Sequence, residues 1–243
     1  MQGVITAAGL GIRSGLNGRL RKEMLPIYVQ ESGKIQLRPI LEAVYRRMIS
    51  SGIESVGIVL DPSDSRTIDY VRSFMPDAEI IFQKIRNGYG GAVLAAESFV
   101  QSDLFALNAG DGILLPHNAF NRMGIPSCDN PVLSIMKVDN PGRYGNARTE
   151  KQGAKTMVTK VIEKPSTPIS DYALCASYVL PKSVFGYLDS DSENVELTPA
   201  IDRCISSGKK FNAVEFSRED WISVGLAEEY VKILKRSLDS LKP

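Results

Sequence analysis

Near its start the chain runs Val4-Ile5-Thr6-Ala7-Ala8-Gly9-Leu10-Gly11-Ile12-Arg13, and Lys22-Glu23-Met24-Leu25-Pro26 follows after a short interval. An apolar run that passes abruptly into glycines predicts a buried strand ending in a tight turn. Such a turn exposes backbone N–H groups that can bind an anion. Because Arg13 and Lys22 add two cations close to this turn, the sequence predicts a phosphate-binding site at the carboxyl end of the first strand.

A glycine-rich turn after an N-terminal strand also opens dinucleotide-binding folds. That fingerprint requires a further glycine at position 14, where this chain has Ser14. It also requires a helix that begins directly after the glycine turn, whereas Ser14-Gly15-Leu16-Asn17-Gly18 is typical of a loop. A Gly-Lys-Ser/Thr phosphate-loop pattern is absent as well. A dinucleotide-dependent oxidoreductase therefore stays only as a minor alternative.

The composition argues against several classes of protein. The chain has 29 Lys and Arg against 28 Asp and Glu in 243 residues, so no global field attracts nucleic acid or a membrane surface. No apolar run reaches the ~20 residues that span a bilayer, and the N-terminus lacks the pattern of a signal peptide. The cysteines Cys128, Cys175 and Cys204 lack metal-binding spacing and are expected as buried thiols in a reducing cytosol. We expect a cytoplasmic protein without nucleic-acid or membrane partners, for which a homo-oligomer remains open.

Strand and helix patterns alternate through the first half of the chain. Near-continuous apolar runs, which suit parallel strands covered on both faces, occur at 4–8, 55–60, 78–82, 104–109 and 131–138. Helical stripes lie between them over 40–49 and 92–100. This alternation predicts an α/β fold with a Rossmann-like, doubly wound mixed sheet.

The second half of the chain has a different pattern. Strands are predicted over 157–163, 172–180 and 211–216, and short helices over 182–188 and 197–207. Apolar residues at helical spacing between Leu226 and Leu241 predict an amphipathic C-terminal helix that packs on the core.

Asp111 is the first candidate for chemistry beyond the glycine turn. It follows the apolar run 104–109 and is therefore expected just past the carboxyl end of a central strand, where ligands bind in open α/β sheets. A carboxylate at that place can hold Mg²⁺. Gly110-Asp111-Gly112 is also good chemistry for an ordinary turn, so Asp111 alone does not decide between the two.

Two later stretches also carry polar chemistry. Glu163 and Lys164 end a strand pattern at Pro165, which stops further pairing. They could form a solvated ion pair, or they could present a cation to a phosphate and a carboxylate to sugar hydroxyls. In Tyr144-Gly145, the glycine allows close approach of backbone to a ligand.

The order of these motifs is more specific than any one of them. The motifs are Ala7-Ala8-Gly9-Leu10-Gly11-Ile12-Arg13, Lys22-Glu23-Met24-Leu25-Pro26-Ile27, Gln83 with Gly88-Tyr89-Gly90-Gly91-Ala92-Val93, Gly110-Asp111, Tyr144-Gly145, Glu163-Lys164-Pro165, Leu197-Thr198 and Trp221 through Gly225. In this order they resemble the motifs of the sugar-1-phosphate nucleotidylyltransferases, which include glucose-1-phosphate thymidylyltransferases and UTP–glucose-1-phosphate uridylyltransferases. The resemblance covers almost the whole chain.

The resemblance implies an Mg²⁺-dependent enzyme that transfers a nucleoside monophosphate from UTP or dTTP to a sugar-1-phosphate and releases pyrophosphate. The implied nucleotide-binding residues are Ala8, Gly9, Gly11, Arg13, Gln83 and Gly88. The implied residues for the sugar phosphate are Tyr144, Gly145, Glu163 and Lys164. The implied catalytic residues are Arg13, Lys22 and Asp111, of which Asp111 would hold Mg²⁺. The implied organisation is one domain over 1–243, with a nucleotide-binding core at 1–138 and a smaller sugar-binding part with the C-terminal helix at 139–243.

Three positions depart from the pattern of these enzymes. Ser223 stands where an aspartate is usually a second metal ligand, Ile12 replaces a common Thr or Ser, and Ala176 replaces a glycine that commonly lies against the sugar. Serine is a neutral and weak ligand for Mg²⁺, although one carboxylate and the substrate phosphates can suffice. The alternative is therefore a weak or inactive relative that binds nucleotide or nucleotide sugar as a regulatory or partner subunit.

Overall fold

The computed structural model describes residues 1–11, 16, 18–225 and 229–241. Its strands are β1 (Gln2–Ala7), β2 (Pro26–Glu31), β3 (Lys34–Pro39), β4 (Ser55–Leu60), β5 (Glu79–Phe82), β6 (Leu104–Ala109), β7 (Gly112–Leu114), β8 (Val132–Lys137), β9 (Gly145–Gln152), β10 (Lys155–Glu163), β11 (Tyr172–Pro181), β12 (Phe211–Phe216) and β13 (Trp221–Ser223). Its α-helices are α1 (Ile40–Ser50), α2 (Ser65–Phe74), α3 (Tyr89–Leu94), α4 (Ala119–Arg122), α5 (Leu197–Ser206) and α6 (Tyr230–Asp239).

A nine-stranded mixed sheet forms the framework, with the strand order β5-β4-β1-β6-β11-β8-β12-β10-β9. The first four strands of this order are parallel to one another, as their near-continuous apolar sequences predict. β11 runs antiparallel to β6 and β8, β12 runs parallel to β8, and β10 runs antiparallel to β12 and β9. The predicted α/β fold with a mixed sheet is confirmed. Two small pairs, β2–β3 and β7–β13, lie outside this sheet.

Helices cover both faces of the sheet because its strands alternate apolar side chains between two hydrophobic clusters. In β1, Ile5 faces the cluster that also contains side chains of α1 and α2, whereas Val4 faces the one that contains side chains of α3 and α5. This is the doubly wound arrangement that the sequence predicts. α6 adds Ile233 to the first cluster and packs on β2, so the predicted C-terminal helix does pack on the core. Leu226 lies outside the described residues.

Some elements differ from the expectations. The segment 182–188 forms a 3₁₀ helix (Lys182–Tyr187), and α3 ends at Leu94 although its apolar stripe continues to Val100. Beyond Leu94 the chain continues in tighter turns in which Ala96 and Glu97 bond to carbonyls three residues earlier. The sequence did not predict the β2–β3 and β7–β13 pairs, strand β9, or helices α2 and α4. β3 is mostly exposed or half-buried, and β7 and β13 are only three residues long, so neither pair leaves a long apolar run.

The cysteines are free thiols in the structure. Cys175 and Cys204 are buried as predicted, whereas Cys128 is only half-buried. No helix in the described part of the chain is long and apolar enough to cross a membrane.

The carboxyl ends of β1 and β6 meet at one edge of the sheet. Thr6 of β1 lies opposite Ala109 of β6, and the Gly110 N–H donates to the Thr6 carbonyl at 2.8 Å. Because the two strands are parallel neighbours, the glycine turn after β1 and the Asp111 turn after β6 emerge side by side.

Candidate active site

A pocket of about 790 Å³ opens at this edge of the sheet. The predicted site residues that line it are Gly9, Gly11, Lys22, Tyr144 and Lys164. Trp221 and Ser223 of β13 line it as well. The predicted residues Ala8, Gln83, Gly88, Asp111, Gly145 and Glu163 are not among its lining residues. Arg13 lies outside the described residues, as does Ile12.

The glycine turn is held in place by Arg21. The Arg21 Nη1 donates to the Gly9 carbonyl at 3.2 Å, and the same guanidinium pairs with Asp64 at 3.1 Å and Asp61 at 3.4 Å. Arg21 and Asp61 are almost fully buried. Gly11 has a φ of +62°, a conformation that glycine adopts without strain. The sequence pattern did not identify Arg21, because its acidic partners lie some forty positions away and carry no motif.

Lys22 and Asp111 meet at the mouth of the turn. The Lys22 Nζ contacts the Asp111 Oδ2, and each side chain keeps about a fifth of its surface exposed (24% and 20%). Asp111 is fixed on its other side, since its backbone carbonyl accepts from the Val224 N–H at 2.9 Å. Because both side chains remain partly accessible, the Lys22 ammonium could leave Asp111 to bind an anion, and the Asp111 carboxylate could leave Lys22 to bind a cation. The structure thus brings together two of the residues that the sequence assigns to chemistry.

Glu163 and Lys164 form a second polar centre. The Glu163 Oε1 lies 2.8 Å from the Lys164 Nζ, and its Oε2 accepts from the Thr198 Oγ1 at 2.6 Å. Lys164 has a φ of +37° and donates its backbone N–H to the Tyr144 carbonyl at 3.1 Å. A non-glycine residue in this conformation is strained, and such strain concentrates at functional sites. The hydrogen bond from Thr198 orients the Glu163 carboxylate. The sequence marks Thr198 only as part of the Leu197-Thr198 motif and gives it no role.

Gly145 brings backbone close to this carboxylate. It lies opposite Glu163 in the β9–β10 ladder, and a Cβ there would come within 3.3 Å of the Glu163 Oε2 and 2.9 Å of the Leu174 Cδ1. A side chain at position 145 would therefore displace its neighbours. The glycine predicted for close approach is required by packing around Glu163.

Gln83 and Gly88 lie together at the other side of the first strands, between β5 and α3. The Gln83 Nε2 donates to the Gly88 carbonyl at 3.2 Å and to the Asn87 Oδ1 at 3.4 Å. Gly88 has a φ of +96°, and a Cβ there would lie 2.8 Å from the Val195 carbonyl oxygen. Because a backbone carbonyl can only accept, the Gln83 amide nitrogen must face Gly88. The amide oxygen of Gln83 remains as a buried acceptor beside this turn.

The profile of one protein family, described as nucleotidyl transferase, matches residues 2–240 of this chain. The chain belongs to the nucleotidyl transferase family. Similar curated relatives include two named UTP–glucose-1-phosphate uridylyltransferase. The one from Mycoplasma pneumoniae is 25% identical over 94% of this chain and 89% of its own length. The other, UTP–glucose-1-phosphate uridylyltransferase 2 from Staphylococcus saprophyticus, is 28% identical over 82% of this chain and 79% of its own length.

The fold of this nucleotidyl transferase is shared with solved structures. A UDP-glucose pyrophosphorylase, solved in complex with UDP-glucose, superposes with a TM-score of 0.77 over 98% of each chain at 20% identity. The resemblance to sugar-1-phosphate nucleotidylyltransferases that the motifs predict is thereby confirmed at the level of family and fold.

Ser223 of the nucleotidyl transferase lies beside the Asp111 turn. It pairs with Gly112 in the β7–β13 ladder, and the next residue, Val224, bonds to the Asp111 carbonyl. Asp220 does not replace the missing carboxylate, because its Oδ2 accepts from the Ser217 N–H at 3.0 Å and lies 4.0 Å from Arg122. The Asp111 carboxylate and the Ser223 hydroxyl both offer oxygen, the ligand atom that Mg²⁺ prefers. Asp111 is therefore the residue that would hold such a cation, and Ser223 could add a neutral ligand.

Glu23 is a buried carboxyl behind the same turns. It is 2% exposed, and no described residue hydrogen-bonds its Oε2. Its Cγ lies 3.2 Å from the position of a Cβ on Gly110, and its Oε1 lies 3.8 Å from that of a Cβ on Gly9. Desolvation, assisted by the charge of Asp111, raises the pKa of Glu23 to about 8. An orphaned carboxyl oxygen here fits a site that gains a cation when loaded.

Ala176 has a φ of +38° and lies in the irregular part of β11, between Leu174 and Tyr178. Its N–H donates to the Tyr178 hydroxyl at 3.1 Å. The departure noted in the sequence therefore has a physical consequence, because an alanine here adopts a conformation that favours glycine.

Proposed function

We propose that this nucleotidyl transferase catalyses the Mg²⁺-dependent transfer of UMP from UTP, or of dTMP from dTTP, to a sugar-1-phosphate. One observation carries the proposal: Lys22 and Lys164 line one pocket together with the Gly9–Gly11 turn. Lys22 pairs with Asp111, and Lys164 pairs with Glu163. Two separated cations in one pocket suit a reaction between two phosphates. The uridylyltransferase names of the curated relatives support UTP as the first nucleotide to test.

In the proposed reaction an oxygen of the sugar phosphate attacks the α-phosphorus of the nucleotide. One P–O bond forms, the bond to the β-phosphate breaks, and pyrophosphate leaves with that electron pair. No covalent enzyme intermediate is needed, so the contribution of the protein is to position the two anions and screen their repulsion. Two unit charges ~4 Å apart repel by ~1 kcal/mol in water and ~4 kcal/mol at an effective dielectric near 20.

The residues divide this screening between the two substrates. Lys22 would neutralise charge at the α-phosphate, and Lys164 would hold the phosphate of the sugar. Glu163, oriented by Thr198, would accept hydrogen bonds from sugar hydroxyls, and Gly145 would let the sugar approach. Mg²⁺ held by Asp111 would supply further charge neutralisation at the nucleotide phosphates.

Gln83 provides the basis for base selection. Its amide nitrogen is used within the protein, so its oxygen can accept the N3–H of uracil or thymine. Cytosine has no hydrogen at N3 and would face that oxygen with a lone pair. The proposal therefore excludes CTP and leaves UTP and dTTP to be distinguished by their methyl group and ribose hydroxyl.

A second candidate function is binding without turnover, as a regulatory or partner subunit. Ser223 favours it, because a single carboxylate beside Lys22 is a weaker site for a divalent cation than two. The strained Ala176 favours it as well, because a methyl group at that position could reshape the sugar pocket.

Pyrophosphate release distinguishes the two functions. The purified protein is incubated with Mg²⁺ and each of UTP, dTTP, CTP, ATP and GTP, paired with several sugar-1-phosphates, and with EDTA in matched reactions. If pyrophosphate is released with UTP or dTTP and one sugar-1-phosphate, and EDTA abolishes this release, the proposed transferase function is supported. If no pair reacts but calorimetry detects UTP or UDP-glucose, the binding function replaces it. If neither reaction nor binding occurs, both proposals fail.

A further inference from the structure

The pocket carries more positive charge than the proposed reaction uses. Among the described residues, its lining has six cationic side chains and one acidic one, Glu229, although the whole protein has a net charge of +1. Lys22 and Lys164 are assigned to the two reacting phosphates. The other cations are Arg143, Arg218, Lys232 and Arg236, which we call the outer cluster. Like charges gathered in one pocket repel one another, so the cluster needs a reason beyond folding.

The outer cluster contains two kinds of side chain. Arg218 pairs with Asp139 at 2.5 Å, and Arg236 donates to the backbone carbonyls of Arg218 and Trp221. These two arginines are held in place by the protein. Arg143 and Lys232, in contrast, have no side-chain hydrogen bond or ion pair with any described residue. Because these two cations line the same pocket and have no partner in the described part of the chain, they are available to an anionic ligand.

Arg143 and Arg218 lie on the side of the pocket assigned to the sugar, and the bond from Arg236 to the Arg218 carbonyl brings α6, which carries Lys232, next to Arg218. Arg143 immediately precedes Tyr144, whose carbonyl holds the backbone of Lys164. Arg218 is tied to Asp139, which belongs to the connection between β8 and β9 that contains Arg143 and Tyr144. The Gly9–Gly11 turn, where the nucleotide phosphates are proposed to bind, follows a different strand, β1. An anion at the outer cluster would therefore belong to the sugar substrate rather than to the nucleotide.

From this arrangement we infer that the sugar-1-phosphate used by this protein carries a second anionic group, a carboxylate or a phosphate, which Arg143 and Lys232 bind. The inference rests on the proposed function and specifies its substrate class. An arginine can bind a carboxylate or a phosphate through two parallel N–H bonds, and a lysine adds a point charge. A neutral hexose phosphate would leave both cations unused.

Kinetics with three sugar phosphates test the inference. Glucose 1-phosphate, glucuronic acid 1-phosphate and glucose 1,6-bisphosphate are compared at saturating nucleotide, and the last two distinguish a carboxylate from a phosphate. We expect at least one of the acidic substrates to have a KM about tenfold below that of glucose 1-phosphate, the ratio that one additional charge-assisted hydrogen bond typically supplies. Equal KM values, or a preference for the neutral sugar, would overturn the inference and leave the proposed function intact.

Variants then identify the residues responsible. The double variant Arg143→Gln with Lys232→Gln is expected to abolish the preference for the acidic substrate, so that the KM values for the acidic substrate and for glucose 1-phosphate become about equal. Arg72→Gln, at an exposed arginine of α2, is the matched control and should keep the preference. Circular dichroism and the Tm check that each variant is folded.

The reverse reaction separates this role from binding of the leaving group. If the double variant raises the KM for pyrophosphate and leaves the preference between sugars unchanged, the cluster serves pyrophosphate and the inference is wrong. Should no pair of substrates turn over, calorimetry with the same three sugar phosphates decides independently. Tighter binding of an acidic sugar phosphate, lost in the double variant, supports the inference even when the transferase function fails. Equal affinity for all three sugar phosphates would overturn it.

Discussion

Lys22 and Asp111 lie in contact, so the carboxylate expected to hold Mg²⁺ is occupied by the cation expected to face the α-phosphate. Both side chains remain partly exposed, and neither is tied to another side chain of the described residues. Loading the site with Mg²⁺ and nucleotide would therefore separate them, since each would find a partner of opposite charge in the substrate complex. The ion pair keeps the two groups in position while the pocket holds no substrate.

The first prediction concerns Asp111. Asp111→Asn removes the charge that balances Lys22, and with it the partly exposed carboxylate at the turn that is proposed to hold Mg²⁺. We expect kcat to fall by about 100-fold or more, the size typical for losing one electrostatic contact to the reacting phosphate. Steady-state pyrophosphate release measures it. Asp220→Asn is the control, because the Asp220 carboxylate accepts from the Ser217 N–H and lies near Arg122 rather than Lys22, and the variant should retain most of the activity. Comparable losses in the two variants would contradict the role of Asp111.

The second prediction concerns Ser223. Ser223→Asp supplies a second carboxylate next to the Asp111 turn, so the Mg²⁺ concentration for half-maximal activity should fall by about fivefold to tenfold. A titration of activity against free Mg²⁺ measures this change. Ser190→Asp adds the same charge at an exposed loop position and should leave the Mg²⁺ requirement unchanged. An inactive natural protein that gains turnover in Ser223→Asp would identify the missing carboxylate as the cause of the inactivity.

Sequence patterns predicted the parts of the molecule that leave long apolar runs. β4, β6 and β12 have the predicted bounds, because buried strands need continuous apolar residues. The β2–β3 hairpin was not predicted, since most of its residues are half-buried or exposed and leave no long apolar run. The order of strands in the sheet also could not be predicted, as β11 lies between β6 and β8 although it follows both in sequence.

The candidate site was predictable only where a motif marks it. Asp111, Glu163 and Lys164 each end or follow a strand, and Lys22 begins a short 3₁₀ helix after the glycine turn. Lys22 and Lys164 line the same pocket. Arg21 and Thr198 support them through pairs that depend on distant residues, Asp61 and Glu163, and no periodic pattern marks such pairs. The outer cluster was not predicted for the same reason, because its members come from separate parts of the chain.

The third prediction concerns the backbone strain at Ala176. Ala176→Gly removes a Cβ from a φ of +38°, which relieves a cost of roughly 1 kcal/mol. The greater freedom of glycine in the unfolded chain offsets part of this gain. We expect the free energy of unfolding to rise by about 0.5 kcal/mol, measured by urea denaturation. Ala173→Gly, in the regular part of β11 where it pairs with Met136, should lower it by about 1 kcal/mol or more. A loss of stability in Ala176→Gly equal to that of Ala173→Gly would contradict the assignment of strain.

The fourth prediction concerns the pH dependence of stability that Glu23 imposes. Burial raises the pKa of Glu23 from 4.5 to about 8, so the folded protein keeps this carboxyl protonated where the unfolded chain has already ionised it. Between these two pKa values the folded state binds more protons than the unfolded chain. The contribution of Glu23 to the free energy of unfolding is therefore fully present below about pH 4.5 and is lost as the pH rises toward 8. At its steepest, the free energy of unfolding should fall by on the order of 1 kcal/mol per pH unit because of this one group.

Urea denaturation of the substrate-free protein at pH 5, 6.5 and 8 tests this effect of Glu23. The free energy of unfolding should fall over this series in the natural protein. It should fall much less in Glu23→Gln, because a neutral amide of the same shape has no proton to lose. Glu97→Gln removes an exposed carboxyl and should follow the natural protein at every pH. If Glu23→Gln shows the same decline as the natural protein, another group is responsible and Glu23 is ionised in the folded state. The same measurement with Mg²⁺ and UTP present should show a smaller decline in the natural protein, since a bound cation beside Asp111 would favour the ionised form of Glu23.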